Sequence, residues 1–98
     1  MAGLDKVEDM PDIATTLAER HATHGNFIDN ANYSQQLKAV MHGALNWHDL
    51  SPIQQEALEY HACKIARILS TLGRNPDDWH DIAGYATLVE KWLRGESL

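Results

Sequence analysis

The sequence specifies an all-α protein, and three observations carry that reading. Apolar residues recur at three- and four-residue intervals in four separate stretches, the spacing of an amphipathic helix. No stretch alternates apolar and polar residues as a half-buried strand does. Two stretches also open with complete helix-start signatures, Ser51-Pro52-Ile53-Gln54 and Asn75-Pro76-Asp77-Asp78. The expected architecture is an antiparallel bundle of about four helices in one domain, residues 11–98, behind a polar, aperiodic leader at 1–10.

The first helix is expected to begin near Pro11-Asp12, where proline is tolerated in the first turn. Ile13, Ala14, Leu17, Ala18 and His21 follow helical spacing, and His24-Gly25-Asn26 ends the run with glycine as a left-handed stop. A second helix reads from Asp29 or Asn30, either of which can cap it, to Ala44. Its stripe is Tyr33, Leu37, Val40, Met41 and Ala44. The connection from Leu45 to Leu50 is irregular and rich in apolar residues for a loop.

The third helix has the clearest start in the chain. Ser51 caps it, Pro52 takes the first position and Gln54 completes a capping box. Ala57, Leu58, His61, Ala62, Ile65, Ile68, Leu69 and Leu72 define its expected core face, and Gly73 stops it. The fourth helix is capped by Asn75, with Pro76 inside it and Asp77 and Asp78 complementing the positive end of the helix dipole. Trp79, Ile82, Ala86, Val89 and Leu93 are its apolar positions. The short Gly73-Arg74-Asn75 link makes helices three and four an antiparallel hairpin.

Bulk properties exclude several classes of function. The chain has 98 residues, of which 44% are apolar and 22% charged, the balance of an ordinary globular domain. No apolar run approaches the roughly 20 residues needed to span a bilayer. Neither a basic nor an apolar leader marks a secretory signal, so a cytoplasmic location is expected. The single cysteine, Cys63, allows no internal disulfide and fits a reducing compartment. A net charge of −6 with eight scattered basic residues argues against a nucleic-acid backbone as partner. A small anionic ligand stays compatible with that balance.

The chemistry-bearing pattern is acidic. Glu56-Ala57-Leu58-Glu59 is followed, after 18 residues, by Asp78-Trp79-His80-Asp81. Each pair sits three residues apart, on one side of its helix, with no Lys or Arg at helical spacing within these helices to neutralise it. Four carboxylates brought together repel unless a hard cation stands between them, and Mg²⁺ or Mn²⁺ prefers such oxygen donors. The bland alternative is that the acids are solvated surface charges, with Asp78 favouring its helix start. A helical wheel turns Glu56 and Glu59 away from the apolar stripe of their own helix. Their meeting with Asp78 and Asp81 then requires another helix or a second subunit over that face.

The pattern E-x-x-E, spacer, D-x-x-D resembles the signature of the all-α nucleotide pyrophosphohydrolases, the superfamily of MazG and the dimeric dUTPases. More closely, the chain is similar to a group of small phage and prophage proteins. The segments that carry this likeness are Thr23-His24-Gly25-Asn26-Phe27, Asn30-Ala31, Leu50-Ser51-Pro52, Lys64-Ile65-Ala66-Arg67-Ile68-Leu69 and Asp78 to Ala86. The resemblance implies a MazG-like helical core assembled as a homodimer or homotetramer. It implies Mg²⁺ (or Mn²⁺) on Glu56, Glu59, Asp78 and Asp81, and hydrolysis of a nucleoside triphosphate to the monophosphate and pyrophosphate.

Around those acids, Lys64 and Arg67 are candidate phosphate clamps or plain solvated charges. Tyr85 offers aromatic surface to a base, and His24 is either at the rim of the site or a neighbour of a helix cap. His61 reads as a hydrogen-bonded core histidine and Cys63 as a packing residue. Gly84 costs its helix about 1 kcal/mol relative to alanine, which points to close approach of another helix or to ligand access. The alternative function is a non-catalytic module that binds a nucleotide, or binds a host protein through Trp47, Trp92 and the acidic surface.

Overall fold

The computed structural model describes residues 12–98. The leader at 1–10 and the role of Pro11 in the first turn lie outside the described residues. Four α-helices follow one another: α1 Ile13–His24, α2 Phe27–His42, α3 Pro52–Thr71 and α4 Pro76–Leu93, with a single 3-10 turn at Trp47–Asp49. No strand occurs among the described residues.

The helix starts show how the sequence sets the boundaries. At α3, Ser51 Oγ accepts from the Gln54 amide at 3.2 Å while Gln54 Oε1 accepts from the Ser51 amide at 3.0 Å, so the capping box is complete. At α4, Asn75 Oδ1 accepts from the Asp77 amide at 3.0 Å. Helix α2 starts earlier than expected. Asn26, not Asp29 or Asn30, is its cap, with Oδ1 accepting from the amides of Ile28 at 2.8 Å and Asp29 at 3.3 Å. The link between α1 and α2 is therefore just Gly25-Asn26.

Helix α3 is the axis of the fold, and α1, α2 and α4 all pack on it. α2 runs antiparallel along one side, joined by Ser34 Oγ to Cys63 Sγ at 3.6 Å and His42 Nε2 to Glu59 Oε1 at 3.0 Å. α4 returns along another side, where Tyr60 stacks on Tyr85 and Lys64 meets Asp81. The α3–α4 turn is closed by Leu72 and Gly73, both at positive φ, and by the Trp79 indole N–H donating to the Gly73 carbonyl at 2.9 Å. Trp79 is thus a half-exposed clasp on the hairpin turn and not the core residue its spacing suggested.

The interior is thin and built from small side chains. Ala57, Ala62 and Ala66 of α3 are buried together with Trp47. Alanine lets neighbouring helix backbones approach α3 closely but removes little apolar area per contact. Trp47 explains the apolar loop: its ring packs against His42 with centroids 4.8 Å apart, and its carbonyl accepts from Gln55 Nε2 at 2.9 Å. At 7% exposure Trp47 is not available to a partner, which corrects the expectation that it helps form a docking surface.

The expected core stripe of α3 needs correction too. Leu58, Ile65, Leu69 and Leu72 are between 37% and 79% exposed. The helix uses the flanks of its wheel, where the alanines lie, to meet α2 and α4, and the large aliphatic residues between those flanks stay open. No helix among the described residues is long and apolar enough to cross a membrane.

Candidate functional site

The four acids occupy three different environments. Glu59 faces α2 and is engaged by His42, so the covering helix that its wheel position required is α2. Glu56 is exposed at the edge of an apolar groove of about 430 Å³ that also includes Ile53, Tyr60, Tyr85 and Leu88. Asp81 accepts an ion pair from Lys64 Nζ at 2.8 Å across the α3–α4 interface. This bond, more than any other influence, holds the Asp81 carboxyl below its ordinary range.

Asp78 is the exceptional one. It is 2% exposed and is the largest fully buried side chain of the structure, yet its Oδ2 has no hydrogen-bond partner among the described residues. Its burial follows from the hairpin: the short link brings the first turn of α4 directly against α3. Removing a carboxylate from water costs several kcal/mol unless a cation or hydrogen bonds compensate. Nearby positive groups exist, since Asp78 and Lys64 both act on the proton affinity of His24.

These positions bear directly on the metal expected from the resemblance. No group of three or more His, Cys, Asp or Glu side chains among the described residues is placed to hold a metal ion. Glu56 and Glu59 therefore do not join Asp78 and Asp81 in one four-carboxylate cluster within the chain. The pair Asp78 and Asp81, three residues apart on α4, is a different matter. Mg²⁺ is commonly held by one or two carboxylates, with substrate phosphates and water completing its shell. A buried, unpartnered carboxylate oxygen beside a second carboxylate fits that more modest donor set.

The four substrate-binding candidates divide between two sides of α3. Lys64 and Tyr85 belong to the α4 side, where Tyr85 stacks flat on Tyr60 with ring centroids 4.5 Å apart and planes 3° from parallel. Asp81, Gly84 and Tyr85 also border a shallow cavity of about 360 Å³ with His80 and Leu88. His24 and Arg67 belong to the other side, where α1 and the α1–α2 turn close over α3.

That turn is built tightly. Gly25 has φ +80° and ψ −172°, a conformation open essentially to glycine alone, and a Cβ there would lie 2.9 Å from Ser70 Cβ and 3.1 Å from Thr71 Cγ2. Asn30 Nδ2 donates to the His24 carbonyl at 2.7 Å. The His24-Gly25-Asn26 segment is thus pinned to α3 from below and to α2 from the side. Burial foremost, then the charges of Arg67 and Arg20, lowers the His24 pKa below 6.5.

Sequence reasoning missed Arg20, His21 and Asn30, which stand with His24 and Arg67 around one cavity. The spacing of Arg20, His21 and His24 at the end of α1 is visible in the sequence, but only the fold shows that Arg67 joins them. His61 differs from expectation as well: its Nε2 is buried with no hydrogen-bond partner among the described residues. The chain matches no family model, no curated protein and no solved structure.

Proposed function

We propose that the protein binds a nucleoside triphosphate at Asp78, Asp81, Lys64 and Tyr85 and hydrolyses it, in the MazG-like manner, to a monophosphate and pyrophosphate. The observation that carries this reading is the buried, unpartnered carboxylate of Asp78 one turn from Asp81. Asp78 and Asp81 would hold Mg²⁺ or Mn²⁺, which would neutralise phosphate oxygens and lower the pKa of a bound water. Lys64 is already at the Asp81 carboxylate and is long enough to turn its ammonium toward a phosphate oxygen. The paired rings of Tyr60 and Tyr85 offer a flat apolar surface to a base. A cation bound at Asp78 would meet the carboxylate in a low-dielectric setting, where their attraction is stronger than in water.

The same reading includes assembly with further copies of the chain. The row Leu58, Ile65, Leu69 and Leu72 exposes aliphatic surface that an isolated small domain gains by covering. A homodimer or homotetramer formed there would bring acids of a second chain nearer to this one. Sedimentation measures the state directly.

The deciding experiment is titration of Mg²⁺ and Mn²⁺ with a panel of nucleoside triphosphates by calorimetry, alongside assay of pyrophosphate release. Asp78→Asn and Asp81→Asn are expected to lose both metal-dependent binding and release. Wild-type activity in both variants would overturn the assignment. A second reading, nucleotide binding without hydrolysis, is favoured by the engagement of Glu59 with His42 and by the outward position of Glu56. Metal-dependent binding with no pyrophosphate would select it.

A further inference from the structure

The cavity between α1 and α3 has a charge pattern opposite to that of the protein as a whole. In a chain of net charge −6, its basic side chains are Arg20, His21, His24 and Arg67, and no carboxylate lines it. Its volume is about 390 Å³, ample for a phosphate group and part of what it is attached to. Neither arginine has a carboxylate within ion-pair distance among the described residues. Two guanidinium groups that share a concavity repel each other, and among the described residues neither is neutralised by a paired carboxylate.

We propose that this cavity is a phosphate-binding site that takes the dianion of a phosphomonoester without a metal ion. Arginine presents planar forks of N–H donors that match phosphate oxygens two at a time, and two of them balance a charge of −2. Mg²⁺ finds no carboxylate on these walls, where Asn30 supplies the one side-chain carbonyl oxygen, and it is commonly held by carboxylates together with the phosphates it accompanies. That separates this cavity from the Asp78–Asp81 site and assigns the two different ligand forms. Phe27, strongly exposed at the mouth, supplies an aromatic face for a ring carried by the phosphate. A nucleoside monophosphate joins both features in one molecule.

The local construction keeps the basic groups in place. Gly25 lets the turn touch Ser70 and Thr71, and Asn30 holds the His24 carbonyl, so His24 stands on a fixed backbone in the wall of the cavity that Arg67 also lines. The groups that act on His24 are Arg67, Arg20 and Lys64, which disfavour its protonation, and Asp78, which favours it. A bound phosphate adds negative charge beside the imidazole and raises its proton affinity. The inference does not depend on the hydrolytic reading, because its site, ligand form and metal requirement are all different.

The test is carried out on the full chain with a chelator present, so failure of the Asp78–Asp81 reading leaves it untouched. Inorganic phosphate and nucleoside monophosphates are titrated while the imidazole resonances of His24 are followed by NMR. Saturable shifts of His24, with its pKa rising as ligand binds, are expected. A nucleoside monophosphate binding more tightly than inorganic phosphate assigns the ring to Phe27, and equal binding limits the site to the phosphate itself. Arg67→Gln is expected to weaken binding by about tenfold to a hundredfold, the worth of a charged hydrogen bond. Arg20→Gln, on the exposed face of α1 and without risk to the fold, is expected to weaken it in the same sense. Absence of saturable binding to either ligand, or binding unchanged in both variants, overturns the proposal.

Discussion

Lys64 on α3 and Asp81 on α4 meet at 2.8 Å, and this ion pair ties the hairpin together next to the buried carboxylate of Asp78. Lysine is the more buried partner, so its ammonium is directed at α4 and away from bulk water. The pair therefore fixes which way the Lys64 ammonium points.

Replacing Lys64 by methionine keeps the apolar stem and removes the charge. Asp81 is held low first by the Lys64 hydrogen bond, with smaller contributions from the charges of Lys64, His80 and Arg67. In Lys64→Met its carboxyl pKa is expected to rise back toward 3.8, read by NMR titration. The sign for stability follows. A depressed folded pKa stabilises the fold above the unfolded value, and that contribution is lost as pH falls through the folded value. The wild type should therefore lose more stability than Lys64→Met on acidification below 3.8, as measured by denaturant unfolding.

His24 gives a second pH dependence in a different window. Its folded pKa is lowered from 6.5 by burial, then by Arg67 and Arg20, so the unfolded chain binds its proton more readily. Stability from this group is complete above pH 6.5 and declines as pH falls through the lower folded value. Arg67→Gln should bring the His24 pKa closer to 6.5 and flatten the decline. Imidazole titration by NMR, paired with melting temperatures across the same range, checks both statements.

Gly25 is the position where backbone conformation and space act together. Gly25→Ala forces a side chain into a glycine-only region of φ and ψ and against Ser70 and Thr71. The expected cost is about 1–3 kcal/mol of folding stability, visible in denaturant melts. The variant should also displace the His24 resonances, because the imidazole is carried by the residue just before the turn.

Much of this fold was legible in the sequence because helix punctuation is local. Ser51-Pro52-Ile53-Gln54 and Asn75-Pro76 act within one turn of the chain, and the structure begins α3 and α4 there. The α2 start was less legible. Asn26, Asp29 and Asn30 are all capable caps, and the choice of Asn26 is linked to Gly25 packing on Ser70, a contact across distant segments. The face of α3 misled for a related reason. Periodicity places Leu58, Ile65 and Leu72 in the core together with Ala57 and Ala62, whereas helix packing here buries the two alanines, with Ala66, whose small size permits close approach, and leaves the large residues open. For the site, the sequence marked the acids and basic residues but not their grouping. Which side of α3 each occupies depends on α1, α2 and α4 packing around it, and that divides Lys64 and Tyr85 from His24 and Arg67.

Gly84 tests what lies against α4. The sequence suggested close approach of another helix or ligand access, and a Cβ at this position meets nothing within 4 Å among the described residues. Glycine within a helix costs about 1 kcal/mol relative to alanine when nothing else intervenes. Gly84→Ala is therefore expected to stabilise the isolated chain by about that amount, measured by denaturant unfolding at low protein concentration. The same residue borders the cavity shared by Asp81 and Tyr85, so the added methyl group also reports on access to them. Stabilisation with unchanged nucleotide binding means that α4 presents an open surface here. Stabilisation with weakened binding places ligand against Gly84. A loss of stability that grows with protein concentration means that another copy of the chain packs on this face, and the glycine is then an assembly residue.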